Sequence, residues 1–353
     1  MMIYGGLDLH CSNTYVCLID EKDRPLVRRK FPNDLGLLLK ELEPYREYID
    51  GLVVESTFNW YWLVDGLIES GYNVHLANPS GNKSYEGLKH TTDSDDAYWL
   101  SHLLRLGILQ EGHIYPREER FIRDLLRKRL FLVRQRTANI LSFQSLYNRH
   151  TGQSISGNAI KKLTPDDIEN LFSNEHVILS ARANISTVVF LDEQIRLIEK
   201  EVLKVTKLKP EFQKLLTVPG IGKILALTIS LETGDIGRFN KVGNYASYCR
   251  CVGSRRESNG KKKGENNRKN GNKYLSWAFV EAANFCNRYE PLAKAFYQKK
   301  ASKTKKVVAI KALAHKLARA CFYIMRDQVD YDPLKIFGKD KNGCGSEPVE
   351  GLE

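Results

Sequence analysis

The sequence predicts an α/β amino-terminal domain, then a long helical connector, then a mainly helical carboxy-terminal domain. Three observations predict this. Short apolar runs separated by turn residues fill residues 3–77. Two charged, leucine-bearing stretches without internal Gly or Pro occupy residues 117–149 and 186–207. Beyond Pro210, glycine-rich turns alternate with further helical runs. A chain of 353 residues is long enough for more than one core.

The elements follow in order. Ile3 to Leu9, Thr14 to Ile19 and Leu26 to Phe31 read as an antiparallel meander, with the turn Asp20-Glu21-Lys22-Asp23-Arg24-Pro25 before the third strand. Asp34 to Glu43 carries helix-spaced leucines and Pro44 ends it. Gly51 to Glu55 is an apolar run of the buried-strand kind with a carboxylate at its end. A helix over Trp60 to Ser70 and a strand over Asn73 to Ala77 follow. The order β-β-β-α-β-α-β fits a mixed sheet of the ribonuclease-H kind. In the connector, residues 151–167 form a polar break, and Thr164-Pro165 reads as a helix start. The third part predicts helices over Asn272 to Arg288 and Lys303 to Arg326. The expected boundaries are 1–112, 113–208 and 209–335, with 336–353 a polar, glycine-rich tail expected to be disordered.

Composition narrows the function. Hydrophobic residues make up 42% and charged residues 27%, ordinary for a soluble globular protein. No run of about 18 apolar residues appears, and the start MMIYGGLDLH lacks the pattern of a signal peptide, so no membrane association and a cytoplasmic location are expected. The seven cysteines form no CxxC pair, which argues for reduced thiols and against zinc. A net charge of +12 favours a polyanionic partner, nucleic acid first.

Four acids stand out by position. Asp8 closes the first strand, Glu55 closes the fourth, and Asp93 and Asp96 sit one helical turn apart at the start of an amphipathic helix. Phosphodiester transfer in a two-metal site needs Mg²⁺ (or Mn²⁺) ions about 3.5–4 Å apart. Such hard cations take carboxylate oxygens, and gathered acids repel one another without them. Singly, each acid also fits a helix cap or a strand-end turn.

In the carboxy-terminal half, Pro219-Gly220-Ile221-Gly222 lies between apolar helical stretches, with Lys223 next. It resembles a helix-hairpin-helix turn whose amides face phosphate, and equally fits a structural turn. Between Arg250 and Lys273 lie Arg255, Arg256, Lys261, Lys262, Lys263, Arg268 and Lys269, interleaved with Gly and Asn. This reads as a flexible basic loop for phosphate backbone, or as a solvated lysine loop.

The runs GLDLH, VVESTFNWYW and KHTTDSDDAYWLSHLLRLGIL, the helix after IYPREER, and the PGIG, ASY and GNKYL blocks resemble the IS110/IS1111-family transposases over about residues 3–330. Phe58 stands where the family usually has glycine, and Asn259 intervenes where its serine is usually followed by glycine. The resemblance implies a RuvC-like (ribonuclease-H-like) domain with a D-E-D-D set at Asp8, Glu55, Asp93 and Asp96. It also implies a nucleophilic serine at Ser258, with Ser254 the alternative. A serine hydroxyl needs activation, and a carboxylate-bound metal is the expected activator. The implied function is an insertion-sequence transposase that cleaves and rejoins DNA at element ends and target, guided by a structured non-coding RNA and acting as a homodimer or tetramer. A Piv-type DNA invertase, a junction-resolving nuclease and an inactive transposase-derived nucleic-acid-binding protein are the alternatives.

Overall fold

The computed structural model describes residues 1–82, 92–204, 210–253, 256–264 and 270–338; the side chains of Arg256, Glu257 and Lys262 are not described. Ser254, Arg255, Arg268 and Lys269, and most of the predicted tail, lie outside the described residues. Two compact units divide the chain, Met1–Tyr115 and Pro116–Glu353.

In the first unit, β1 (Ile3–Leu9), β2 (Asn13–Asp20), β3 (Pro25–Pro32), β4 (Ile49–Glu55) and β5 (Val74–Ala77) form one mixed sheet in the order β3-β2-β1-β4-β5. The first three strands are antiparallel, while β4 runs parallel to both β1 and β5. Helices α1 (Leu35–Leu42) and α2 (Tyr61–Glu69) cover one face. The short α3 (Pro79–Asn82) follows β5, and α4 (Asp93–Arg105) covers the other face.

The period-two alternation of a strand decides which side chain meets which helix. Leu7, Leu9, Val16, Leu18, Leu52 and Val54 pack with Leu38, Leu42, Leu63 and Leu67 under α1 and α2. The intervening residues face α4, with Cys17 and Ile19 against Ala97, and Val53 against Leu100. Asp8 and Glu55 belong to this second set by register.

Gly6 sets how close α4 comes. A Cβ there would stand 2.0 Å from the Ala97 carbonyl and 2.7 Å from the Ser101 amide, so the helix backbone rests directly on β1. The β2–β3 turn staples the same helix. Asp23 accepts from Tyr98 Oη (2.7 Å) and Arg105 Nε (3.1 Å) and meets His102 Nδ1 at 2.8 Å.

The second unit opens with α5 (Arg117–Thr151), 35 residues and about 50 Å long. It then runs through α6 (Gly157–Ile160), a 3₁₀ turn at Pro165–Asn170 and α7 (Glu175–Val202). α5 and α7 pack antiparallel, with Leu126 near Val202 in one cluster and Phe143 near Ile185 in another. Arg136 pairs with Asp192, and Arg129 with Glu199 at 2.6 Å, seven residues apart on both helices, the spacing of a coiled-coil seam. α7 begins at Glu175, capped by Asn174, well before the 186 expected from sequence. The start expected at Thr164-Pro165 yields only the 3₁₀ turn, closed by a Thr164–Asp167 capping box.

The remaining helices are α8 (Pro210–Leu215), α9 (Lys223–Thr233), α10 (Val242–Tyr248), α11 (Lys273–Tyr289), α12 (Pro291–Ala301), α13 (Lys306–Asp327) and α14 (Pro333–Phe337). They share a core around Tyr245, Phe279 and Phe322 that takes in Leu126 and Val202 of the long helices. Strands β6 (Arg256–Ser258) and β7 (Lys261–Gly264) form a hairpin where the sequence was read as a flexible loop. Asn259 (φ 50) and Gly260 (φ 69) make its two-residue turn, both left-handed, as the right-handed strand twist prefers.

Candidate functional site

Parallel pairing sets Leu7 beside Val54, so Asp8 and Glu55 follow one another at the carboxyl ends of neighbouring strands. Asp93 and Asp96 arrive from the first turn of α4, which the close approach at Gly6 brings down on this edge. The structure therefore gathers all four acids that the sequence singled out. Asp8 is 2% exposed, whereas the Asp93 side chain is 50% exposed.

The electrostatics reflect the crowding. Burial does most to raise the Asp8 carboxyl, His10 opposes it, and Asp96 and Asp93 push it further up. Burial, then Asp8 and Asp96, drive Glu55 from 4.5 up to about 7. An acid with a raised folded-state pKa favours the folded state while protonated. That advantage is complete below 4.5, where the unfolded chain also holds the proton, and disappears as pH climbs through about 7. In chelator, Glu55→Gln should therefore raise the melting temperature at pH 8 by about 2–6 °C and leave it unchanged at pH 4.5. Scanning calorimetry at the two pH values checks this; an equal gain at both would show that repulsion is not what the substitution relieves.

Asp95 is turned to other work. It accepts from Thr92 N (3.0 Å) and Oγ1 (2.7 Å) and pairs with Arg28, which also donates to Ser94 Oγ at 2.8 Å. Both contacts fix the first turn of α4 and so the aim of Asp93 and Asp96.

The sequence reading missed His10. Its Nε2 lies 3.0 Å from Asp8 Oδ2 and 3.4 Å from Asp93 Oδ2. One ligand atom from each of Asp8, His10 and Asp93 falls within 4.8 Å of the others, a spacing fit for one cation. Asp8 Oδ2 and His10 Nε2 are both buried and form no hydrogen bond among the described residues, which leaves lone-pair atoms for an ion to satisfy. The signal was the D-x-H spacing, which puts both side chains on one side of an extended chain.

In the second unit, Ser258 is exposed at the end of β6, directly before the hairpin turn and opposite Lys261. Lys261 and Lys263 are exposed, as are Lys273 at the start of α11 and Lys223 at the start of α9. Gly222 caps α9 in open space. Gly220 is placed otherwise than the phosphate-facing reading expects. It has φ +92, and a Cβ there would meet Ala282 O at 2.6 Å and Cys286 N at 2.7 Å, so this glycine seats the turn against α11.

A buried ionic network holds the base of the hairpin segment. Glu232 of α9, 1% exposed, accepts from Arg123 Nε (2.9 Å), Arg127 Nε (2.6 Å) and Asn272 Nδ2 (2.7 Å). Burial alone would raise its carboxyl, but these donors hold it below the usual range. Asn272 also caps α11 through Oδ1, to Tyr274 N and Leu275 N.

Comparison with known proteins covers both units. A family model described as Transposase IS116/IS110/IS902 family matches residues 212–298, and a DEDD model of the IS110 kind, described as Transposase, matches residues 5–150. A probable family 20 transposase of Pseudomonas aeruginosa is 24% identical over 341 residues, 93% of this chain and 98% of that protein. A transposase for insertion sequence element IS1111A of Coxiella burnetii is 24% identical over 210 residues, 58% of this chain and 56% of the relative. An insertion element IS110 uncharacterized 43.6 kDa protein of Streptomyces coelicolor is 23% identical over 176 residues, 47% of this chain and 44% of the relative.

Proposed function

Because the chain belongs to the IS110 family of transposases, we propose that it recombines DNA with a divalent-metal carboxylate centre and a serine nucleophile. The observation that carries this reading is the convergence of Asp8, Glu55, Asp93 and Asp96 at the carboxyl ends of β1 and β4 in a mixed sheet. The strand order and the acid positions support a RuvC-like, ribonuclease-H-like domain.

Asp8, Glu55, Asp93 and Asp96 would hold Mg²⁺ or Mn²⁺. Bound there, the ions would polarise the scissile phosphate and stabilise the charge that builds on the attacked and departing oxygens. Asp8, held rigidly in the central strand, anchors the centre, while the more exposed Asp93 stays accessible from solvent. Glu55 is poised between charge states by its neighbours, so cation binding and loss of its proton go together.

Ser258 is the nucleophile in this reading, with Ser254 the alternative. Exposed lysines on the hairpin and Lys223 and Lys273 at two helix starts suit phosphate backbone, giving salt-dependent binding with little base readout. Sequence choice then falls to a structured non-coding RNA, by base pairing. Exposed Phe121, Phe131, Phe190 and Leu197 on α5 and α7 support self-association into a dimer or tetramer. Among the described residues no helix is long and apolar enough to cross a membrane.

The test is a recombination assay with the purified chain, transcript and DNA from the segment flanking its gene. Joined products are expected with Mg²⁺ or Mn²⁺ and none with EDTA. Joined products formed equally well in EDTA would overturn the metal reading.

A further inference from the structure

We propose that His10 is a nitrogen ligand of the cation bound by Asp8 and Asp93, so that one position of the centre favours a first-row transition dication over Mg²⁺. This rests on the reading of the acid cluster as a metal centre, and goes beyond it in both the ligand and the selectivity.

Adjacent ligands of an octahedral ion at about 2.1 Å stand about 3 Å apart. His10 Nε2 lies 3.0 Å from Asp8 Oδ2 and 3.4 Å from Asp93 Oδ2, the separations of ligands around a shared ion. A histidine that merely paired with Asp8 would hydrogen-bond to it at this distance. Instead both atoms are buried without a hydrogen bond among the described residues, and the Asp8 side chain is 3% exposed. Ligand atoms gathered for a shared ion leave this pattern of close approach without a hydrogen bond.

Next is rigidity. The His10 carbonyl accepts two side-chain amides, Asn33 Nδ2 at 2.9 Å and Asn59 Nδ2 at 3.0 Å. Each amide is itself oriented, Asn33 by Thr14 Oγ1 (2.8 Å) and Asn59 by Thr57 Oγ1 (2.9 Å). The His10 amide donates to Asn13 O at 2.9 Å. Residue 10 lies beyond the last residue of β1, yet its backbone is pinned from both sides, and the ring stands edge-on to Tyr15. A ligand held this way binds without first losing conformational freedom.

Chemistry supplies the selectivity. Mg²⁺ prefers oxygen and sheds water reluctantly, whereas imidazole is a good donor for first-row transition dications, of which Mn²⁺ binds most weakly. Mn²⁺ is therefore a stringent probe as well as a paramagnetic one.

Mn²⁺ alone is titrated into the full-length chain and followed by pulsed electron paramagnetic resonance. A ¹⁴N coupling is expected in the wild type, replaced by ¹⁵N in protein labelled at histidine and absent in His10→Gln. Calorimetry should show His10→Gln weakening Mn²⁺ about tenfold and Mg²⁺ less than about threefold. Mn²⁺ bound with no nitrogen coupling in the wild type overturns the role of His10 and leaves the carboxylate centre standing. Equal weakening of both ions overturns the selectivity. No Mn²⁺ binding by the wild type overturns the metal centre itself.

Discussion

Asp8→Asn should lower DNA strand cleavage on the order of 10³-fold, about 4 kcal/mol of barrier, while the protein remains folded. Asn matches Asp in size, so the packing of a residue that is 2% exposed at the end of the central strand is preserved. What disappears is a charge whose Oδ2 is buried without a hydrogen bond among the described residues, 3.0 Å from His10 Nε2 and grouped with Asp93. Removing it also relieves the repulsion that raises Glu55, so the metal-free variant should melt no lower than the wild type at pH 8. Loss of activity with unchanged or higher thermal stability separates a defect in the centre from a defect in folding. Asp95→Asn is the matched control. That acid sits in the same helical turn but is occupied by Thr92 and Arg28, so activity should stay within about tenfold, the cost of a loosened cap. Cleavage by Asp8→Asn within tenfold of wild type would mean that the gathered acids do not hold the catalytic ion.

The acids were legible in the sequence because each ends or begins an element with a strong local pattern. Gly51 to Glu55 reads as a buried strand on apolar content alone, and Ile3 to Leu9 likewise. Thr92 with the helix-spaced apolar residues marks the start of α4, while the shared face of Asp8 and Glu55 comes from the parallel register of β1 and β4. What brings these elements together was not legible. Gly6 looks like any strand glycine until Ala97 lies on it, and the Asp23 contacts span residues 75 to 82 positions apart. The Glu232 network is similar, joining Arg123 and Asn272 across sequence separations of 109 and 40 with no local signature.

Other misses had signals that stronger ones covered. Asn259-Gly260 is a hairpin turn pair, but the lysines around it led to a loop reading. Glu290-Pro291 is a helix cap followed by proline at the first position, and α12 begins there, yet the stretch was not read as a helix. His10 lies outside the strand that carries Asp8, so the strand pattern does not mark it. The extended chain nevertheless continues far enough to keep the two side chains on one side.

Ser258→Ala should abolish the covalent protein–DNA adduct and reduce strand joining on the order of 10⁴-fold, with Mn²⁺ affinity unchanged. Ser258 and Lys261 are directly paired across the turn, and residues so paired project to the same face. Lys263 follows at a register shift, the extra residue between the Glu257–Lys262 and Arg256–Gly264 pairs, and adds exposed positive charge to the same strand. A phosphate attracted to Lys261 is thereby brought beside the hydroxyl, and nearby positive charge would favour the alkoxide if Ser258 attacks. Asn259 and Gly260 supply the left-handed turn, so the serine stands at a fixed place at the end of a strand. Because Ser258 is exposed, its replacement should change stability by no more than about 0.5 kcal/mol, and the fold cannot account for lost activity. Ser258→Cys supplies the complementary arm. A thiol at the same place should still form an adduct, more slowly, whereas a serine that only bound phosphate would give none with either residue. Full strand transfer by Ser258→Ala would move the nucleophile elsewhere in the chain or to water, and the hairpin would be left as a phosphate-binding element alone.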